Sequence, residues 1–408
     1  MMAALAASEE GALVTLLEKN NKLGRKVFIT GKGRCNLTNA SDVGELFDHV
    51  VSNSKFLYSA FYEFDNRQVM QLFEQWGCPL KIERGNRVFP VSDHSSDVIR
   101  ALERALRERG VCVELKTAVS HLMLKADACG GVQPDRGRRY EADAVIVATG
   151  GLSYPATGST GDGYRLAGEC GHTVTALTPA LVPMTVLEED AGAMQGLSLK
   201  NISVSVWDGK KCLFEEFGEL LFTHFGLSGP VILSASSRVG SLLSQKRLRL
   251  EIDLKPALSA EQLDRRFLRE FEANSNRQLR NVLPSLYPMK MTGVIAARCQ
   301  LPLDKRIYEM RREERKRLVD MTKHFSYEIT GLRGMDEAIV TQGGICVKEI
   351  NPSTMESKRV RNLYFAGEVL DLDALTGGYN LQIAWSTGHL AGVHAAGNGG
   401  NDEFFNCN

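Results

Sequence analysis

The sequence contains no run of 18 consecutive apolar residues, so it offers no candidate transmembrane helix. It carries no net charge: 49 Lys+Arg balance 49 Asp+Glu. That balance removes the global basic field that would draw nucleic acid or an anionic membrane, and neither is expected as a partner. It has no C-x-x-C pair. The nine cysteines (Cys35, Cys78, Cys112, Cys129, Cys170, Cys212, Cys299, Cys346 and Cys407) are odd in number and scattered. This excludes a disulfide framework and a zinc site, and it implies reduced thiols and a cytoplasmic protein. Proline is scarce, 12 against 38 glycines, which favours tight βα turns over proline-rich linkers. The apolar start, Met1 to Ala7, has no basic residue before it and soon meets Glu9 and Glu10, so it reads as a helix and not as a signal peptide. There is no internal repeat and no low-complexity tract.

What is present is an ordinary globular composition, 43% hydrophobic and 24% charged over 408 residues, long enough for two or three domains. MMAALAASEE is rich in helix formers and is followed by Gly11 and a short apolar strand over 12–18. A loop rich in Lys, Gly and Asn covers 19–39. Amphipathic helices are expected over 68–76 and 96–109, the second with Ser95 or Ser96 as N-cap. Strands are expected over 111–116, 119–124 and 142–148. Near Pro183 the pattern turns to short alternating runs (ISVSVW, LRLEIDL), read as an antiparallel β-unit. From 259 to 325 it is helical and locally basic, 15 Lys+Arg against 9 Asp+Glu. After Tyr327 the β/α character returns, with a strand over 363–366 and a helix over 381–395. The tail from Gly397 is expected to fray. The expected division is 1–182 and 327–408 as one α/β domain, split by a β-subdomain (183–258) and a helical lid (259–326).

Three features carry chemistry. Glu18 closes the first strand, where dinucleotide-binding folds place an acid for ribose hydroxyls. No G-x-G-x-x-G precedes it, and the usual spacing of about 20 residues puts that turn upstream of Met1, so the recorded start is expected to be internal to a longer functional protein. ADAVIVA runs straight into Thr149-Gly150-Gly151, glycines that let a backbone approach a cofactor closely. Near the C-terminus, Gly367-Glu368 follows a strand, and Thr376-Gly377-Gly378 leads into a helix near Tyr379, Asn380 and Leu381. The free N–H groups and positive dipole end of such a helix suit an anionic group. Each feature also has a plain structural reading: a solvated strand end, a strand-to-loop turn, a capped core helix.

LLEKNNKLGRKVFITGKGRCNLTN (16–39), ADAVIVATGG (142–151), TGSTGDGYRLAGECGH (157–172), LLFTHFGLSGPVIL (220–233) and YFAGEVLDLDALTGGYNLQIAWSTG (364–388) resemble one bacterial family of NAD(P)/FAD-dependent oxidoreductases. Its members are aminoacetone oxidase-like proteins and 3-dehydro-bile-acid Δ4,6-reductases. The resemblance implies an α/β, Rossmann-like two-dinucleotide-binding-domain fold holding FAD, with an inserted β-subdomain and a helical lid. It implies cofactor contacts from Glu18, Lys19, Arg25, Arg34, Cys35, Asn36, Val119, Thr149, Gly150, Gly151, Gly367, Glu368, Gly377, Gly378, Tyr379, Asn380 and Leu381. Lys32 departs from the family, standing where many members carry a further glycine. Cys35 beside Arg34 is a possible reactive thiolate, with simple packing as the favoured reading. His224, within FTHFGLSGP, and Tyr379 are the candidate proton donors. The run at 310–318 (MRREERKRL) reads as a solvated helix face, with a grip on nucleotide phosphate or RNA as the minor alternative.

The implied activity is NAD(P)H-driven reduction of a C=C bond conjugated to a carbonyl in a small-molecule substrate. With no separate nicotinamide domain, NAD(P)H is expected as a transient donor. The alternatives are a flavin-dependent amine or aminoketone oxidase using O₂, and a truncated, flavin-poor, non-catalytic homologue. No metal is expected, and the sequence specifies no oligomeric state.

Overall fold

The computed structural model describes residues 1–243 and 245–397; the tail expected to fray lies beyond Gly397, outside the described residues. The chain forms two compact units, one made of residues 1–179 with 335–408, the other of 180–334.

In the first unit the helix Met2–Glu9 packs on the long C-terminal helix Tyr379–Gly397. Small residues make this possible: a Cβ at Gly392 would stand 2.3 Å from the Ala3 carbonyl oxygen and 2.8 Å from the Ala6 Cβ. Two parallel strand pairs follow. Thr15–Glu18 pairs with Cys112–Leu115 in register, Glu18 opposite Leu115. Val145–Val147 pairs with Leu363–Phe365, Val147 opposite Phe365. Leu363–Phe365 is buried throughout, as its unbroken apolar run requires, while Val145–Val147 is half-buried up to Val147, which is buried. The observed strands are shorter than the expected 142–148 and 363–366. Leu37, Val69, Phe73, Val98 and Leu102 form the core behind the first pair. Ile345, Leu363, Phe365, Leu370 and Ile383 form the core behind the second.

The expected helices sit slightly off their predicted bounds. Asn66–Gln75 begins at a capping box in which the Asp65 carboxylate accepts from Gln68 N. Ser95–Glu108 begins one residue early, after His94; Ser95 is the first helical residue and its hydroxyl donates to the Phe28 carbonyl. The 19–39 stretch is not all loop, because Arg25–Ile29 forms a short helix behind Gly24, whose φ is +67°.

In the second unit six strands close into a barrel: Met184–Val186, Gly226–Ser228, Lys211–Thr223, Ser198–Asp208, Leu248–Asp253 and Phe325–Leu332, in that order around it. The Phe325–Leu332 strand, read from sequence as the return of the α/β domain, closes the barrel against Leu248–Asp253 and Met184–Val186. A helix not anticipated within the β-unit, Pro230–Leu243, packs along the barrel with Val231, Ile232 and Ala235 buried. Its Ser236 and Ser237 hydroxyls accept from the Val182 and Leu181 backbone N–H groups. The helices Ala260–Ala273, Met289–Arg298 and Arg312–Lys323 share one core with the barrel, through Phe267, Ile295, Leu318 and Phe325 among others. The β-subdomain and the helical segment are therefore one folded unit.

Candidate functional site

In the first unit, the loops at the carboxyl ends of the two parallel pairs carry most of the polar side chains singled out from the sequence. The Glu18 carboxylate accepts from Asn20 N and Asn20 Nδ2, at 2.8 and 2.9 Å. Asn20 Nδ2 also donates to the Thr157 carbonyl, and Asn20 Oδ1 accepts from Arg25 Nη1 at 2.9 Å. Lys19 reaches Thr160 and Asp162. The loop after the first strand is thus laced to the glycine turn at 158–161. Gly158 is fixed there by sterics: its φ is +104°, and a Cβ would fall 2.4 Å from Asn20 Nδ2. Val119 lies beside this corner, two residues beyond Thr117, whose N–H donates to the Glu18 carbonyl; the Val119 carbonyl is taken by Arg165.

At the second strand pair, Gly151 follows Thr149 and Gly150. A Cβ at Gly151 would meet Thr341 Oγ1 at 2.4 Å and Glu368 Oε1 at 3.1 Å. Glu368 is the hub. Its Oε1 accepts from Thr341 N and Ser153 Oγ, and its Oε2 pairs with Lys26 Nζ at 2.6 Å. Lys26 Nζ also donates to Ser153 Oγ. Four segments separated in sequence therefore meet on one partly buried ion pair. Gly367, at φ +75°, turns the chain so that Glu368 faces this point, and its N–H donates to Thr387 Oγ1.

The turn before the C-terminal helix is equally constrained. Gly378 has φ +101°, and a Cβ would fall 2.3 Å from the Thr38 carbonyl oxygen. Asn39 Nδ2 donates to the Gly377 carbonyl. Tyr379 stacks on His49 with ring centroids 4.2 Å apart, and burial pushes its phenol up to about 12, so it holds its proton at neutral pH. Asn380 bonds both the N–H and the carbonyl of Ala374, which commits its side chain to the turn. Leu381 packs against the core of the N-terminal helix.

The 30–36 loop is fixed by contacts of its own. Arg34 is engaged by Glu83 and Asp93 and lies over the Phe89 ring at 4.1 Å. Cys35 is wholly enclosed, and burial pushes its thiol up to about 12, which removes it as a thiolate nucleophile. Asn36 Oδ1 is buried with no hydrogen-bond partner, a group in need of a donor. Lys32 adopts φ +58°, which explains why a glycine suits that position. His224 belongs to the second unit, at the exposed turn between Lys211–Thr223 and Gly226–Ser228, against Phe225.

Asn20, Lys26, Ser153 and Thr341 were not singled out from sequence. Lys26 stands in a lysine-rich stretch, and nothing local marks it out from Lys19, Lys22 or Lys32. Its partner Glu368 lies 342 positions away.

Parallel strand pairs, glycine turns at their carboxyl ends and an acid closing the first strand define a Rossmann-type dinucleotide-binding protein. Residues 1–394 match the model of the HI0933-like protein Rossmann domain, and the chain belongs to that family, the flavoprotein family its sequence blocks resemble. It is 31% identical to the 3-dehydro-bile acid Δ(4,6)-reductase of Clostridium scindens, over 97% of this chain and 96% of that protein. It is 30% identical to the ribosomal RNA dihydrouridine synthase of Haemophilus influenzae, over 94% of this chain and 92% of that protein. The fold is shared with a 3-ketosteroid Δ1-dehydrogenase from Sterolibacterium denitrificans, with TM-score 0.52 and 14% identity over 97% of each chain. A 3-ketosteroid Δ4-(5α)-dehydrogenase from Rhodococcus jostii gives TM-score 0.51 and 13% identity, over 97% of this chain and 94% of that one. The chain is thus a Rossmann-type flavoprotein of the oxidoreductase class. Among the described residues no helix is long and apolar enough to cross a membrane. The exclusion of nucleic acid drawn from zero net charge does not stand beside a relative named for ribosomal RNA; a whole-chain sum hides the local basic surplus over 259–325.

Proposed function

We propose that this protein is an FAD-dependent reductase that uses NAD(P)H to saturate a C=C bond conjugated to a carbonyl. The observation that carries the FAD assignment is the convergence of Lys26, Ser153, Thr341 and Glu368 on Gly151, where a Cβ would stand 2.4 Å from Thr341 Oγ1. The orphaned Asn36 Oδ1 and the Glu18–Asn20–Arg25 chain also fit a ligand rich in hydroxyls and amide-like groups. Bound FAD supplies the two-electron chemistry. Glu18 would hold ribose hydroxyls, with Lys19 and Arg25 beside it. The helix from Tyr379 directs free N–H groups toward negative charge, and Lys26 adds a fixed cation held by Glu368. The net reaction adds a hydride to the carbon β to the carbonyl and a proton to the α carbon, while NAD(P)H is oxidised. Tyr379 keeps its proton at neutral pH and is one candidate donor; His224 is the other.

The reductase direction is supported by the chemistry shared by the two named relatives. A 3-dehydro-bile acid with Δ4,6 unsaturation is a dienone, and uridine has its 5,6 double bond conjugated to the 4-carbonyl. Both are electron-poor alkenes. The test is the visible spectrum of the purified protein under anaerobic conditions. A flavin band bleached by NADPH and restored by a 3-keto-4,6-diene steroid or by a uridine-containing RNA is the expected result. A colourless protein, or peroxide formation from an amine without NAD(P)H, would replace this reading with the binding-protein or oxidase alternative.

A further inference from the structure

The helical segment of the second unit carries a surface whose composition differs from the rest of the chain. Residues 275–281 run antiparallel to 303–308, with Gln278 bridged to Arg306 and hydrogen bonds from Leu279 N to the Lys305 carbonyl and from Ile307 N to the Arg277 carbonyl. Leu279 and Ile307 turn inward and are buried. The residues between them face out. Arg277, Arg280 and Arg306 are exposed, and Tyr308 shows 65% of its surface. Asn276 and Gln278 sit between these side chains. The Arg306 guanidinium donates to the Asn276 carbonyl, which fixes the ribbon. Arg311 and Arg312 follow at the start of the next helix. Over 275–281 and 303–312 the sequence holds six basic residues and two acidic ones. Of the two acids, Glu309 is occupied in capping, accepting from Arg306 N.

We propose that this ribbon is a docking surface for single-stranded RNA. Phosphates would meet Arg277, Arg280 and Arg306, a base would stack on Tyr308, and Gln278 and Asn276 would offer amide groups to base edges. Guanidinium groups around an exposed aromatic ring are the arrangement single-stranded nucleic acid uses, because every base has a stacking face and every nucleotide a charge. A folded surface that served only solubility would intersperse both signs and would not leave a tyrosine two-thirds exposed among arginines. For its catalytic meaning the surface rests on the reductase reading above, of whose two substrate classes it selects RNA; docking itself is measured without turnover.

The experiment is fluorescence anisotropy of a labelled, uridine-rich RNA single strand of about 12 nucleotides, titrated with the full chain at several salt concentrations. The wild type should bind at about micromolar strength in low salt and weaken steeply as salt rises. Arg277→Ala/Arg280→Ala should weaken binding at least about tenfold and flatten the log–log salt slope by about 1.4, two phosphate contacts at about 0.7 each. Tyr308→Ala should cost about tenfold with the slope unchanged, since stacking carries no charge. Removing two arginines elsewhere, Arg136→Ala/Arg138→Ala, should change little. Circular dichroism and the flavin spectrum confirm that each variant is folded. Absence of binding by the wild type, equal loss in the control pair, or stronger binding to anionic lipid vesicles than to RNA would overturn the proposal. RNA binding without any alkene reduction would keep the surface and remove the reductase reading. Steroid reduction without RNA binding would do the reverse.

Discussion

Lys26 and Glu368 form their 2.6 Å ion pair with both side chains about three-quarters removed from water, 26% and 20% exposed. A pair so placed gains more from its partner than a surface pair does, and losing one member strands the other. Lys26→Met should cost about 1–2 kcal/mol in urea unfolding of the flavin-free protein. The double variant Lys26→Met/Glu368→Gln should recover part of that loss, giving a coupling of about 1 kcal/mol. Strict additivity would mean that the pair is only a neighbourly contact. His224 presents the opposite case. It is exposed at a turn, so His224→Ala should leave stability within about 0.5 kcal/mol. If it is the proton donor, alkene reduction should slow about 10²–10⁴-fold while flavin reduction by NAD(P)H is unaffected. A change below about threefold would leave Tyr379 as the remaining candidate.

At the scale of elements, the helix Asp162–Glu169 shows how a glycine's surroundings decide its effect. A Cβ at Gly163 would stand 2.3 Å from Thr149 Oγ1 and 2.6 Å from Val369 Cγ2, where the helix start abuts the end of the Val145–Val147 strand. A Cβ at Gly168 would meet nothing within 4 Å. Gly163→Ala should therefore destabilise by about 1–3 kcal/mol through overpacking, and Gly168→Ala should stabilise by about 0.5–1 kcal/mol through helix propensity. Thermal melts of the two variants moving in the same direction would contradict this account. The same elements mark what the sequence makes legible. The 145–147 strand shows as an unbroken apolar run ending in Gly-Gly, a local signal. Barrel closure is not local: four of its neighbouring pairs, Met184–Val186 with Gly226–Ser228, Met184–Val186 with Phe325–Leu332, Ser198–Asp208 with Leu248–Asp253, and Leu248–Asp253 with Phe325–Leu332, join distant segments. The helix Pro230–Leu243 escaped notice because its buried face mixes serines with its apolar residues, which blurs the 3.6-residue pattern. The glycine turns of the site were readable for a similar reason, since each is a backbone requirement written at one position. Lys26 and Thr341 were not, because their roles exist only once distant loops have met.

For the molecule as a whole, acid should loosen the first unit at one identifiable place. His172 is buried, with Nδ1 on the Glu349 carboxylate at 3.0 Å and Nε2 on the Ser357 hydroxyl at 2.8 Å. Glu349 also accepts from Thr173 N, Thr173 Oγ1 and Arg359. The cluster ties the 172–173 corner to the 349–360 loop, two segments that flank the second strand pair. Arg359, first among the causes, and the Thr173 and His172 bonds pull the Glu349 carboxyl down to about 2 from 4.5. Burial lowers the His172 imidazole below 6.5, outweighing the raising effect of Glu349. Both folded values lie below the unfolded ones, so at acidic pH the unfolded chain binds protons that the folded chain does not. Stability from His172 is complete above about pH 6.5 and declines below it. Stability from Glu349 is complete above about pH 4.5 and is lost as pH falls toward about 2. After allowance for the partly exposed Arg359 side, the carboxylate contributes about 1–2 kcal/mol. Urea unfolding at pH 7.5, 5.5 and 4 should show the wild type weakening in two stages. Glu349→Gln should start lower at pH 7.5 and lose less between pH 5.5 and 4, since no carboxylate remains to titrate. If the wild-type and Glu349→Gln stability curves run parallel across that interval, the acid sensitivity of the protein lies elsewhere and the His172 node is a passive tie.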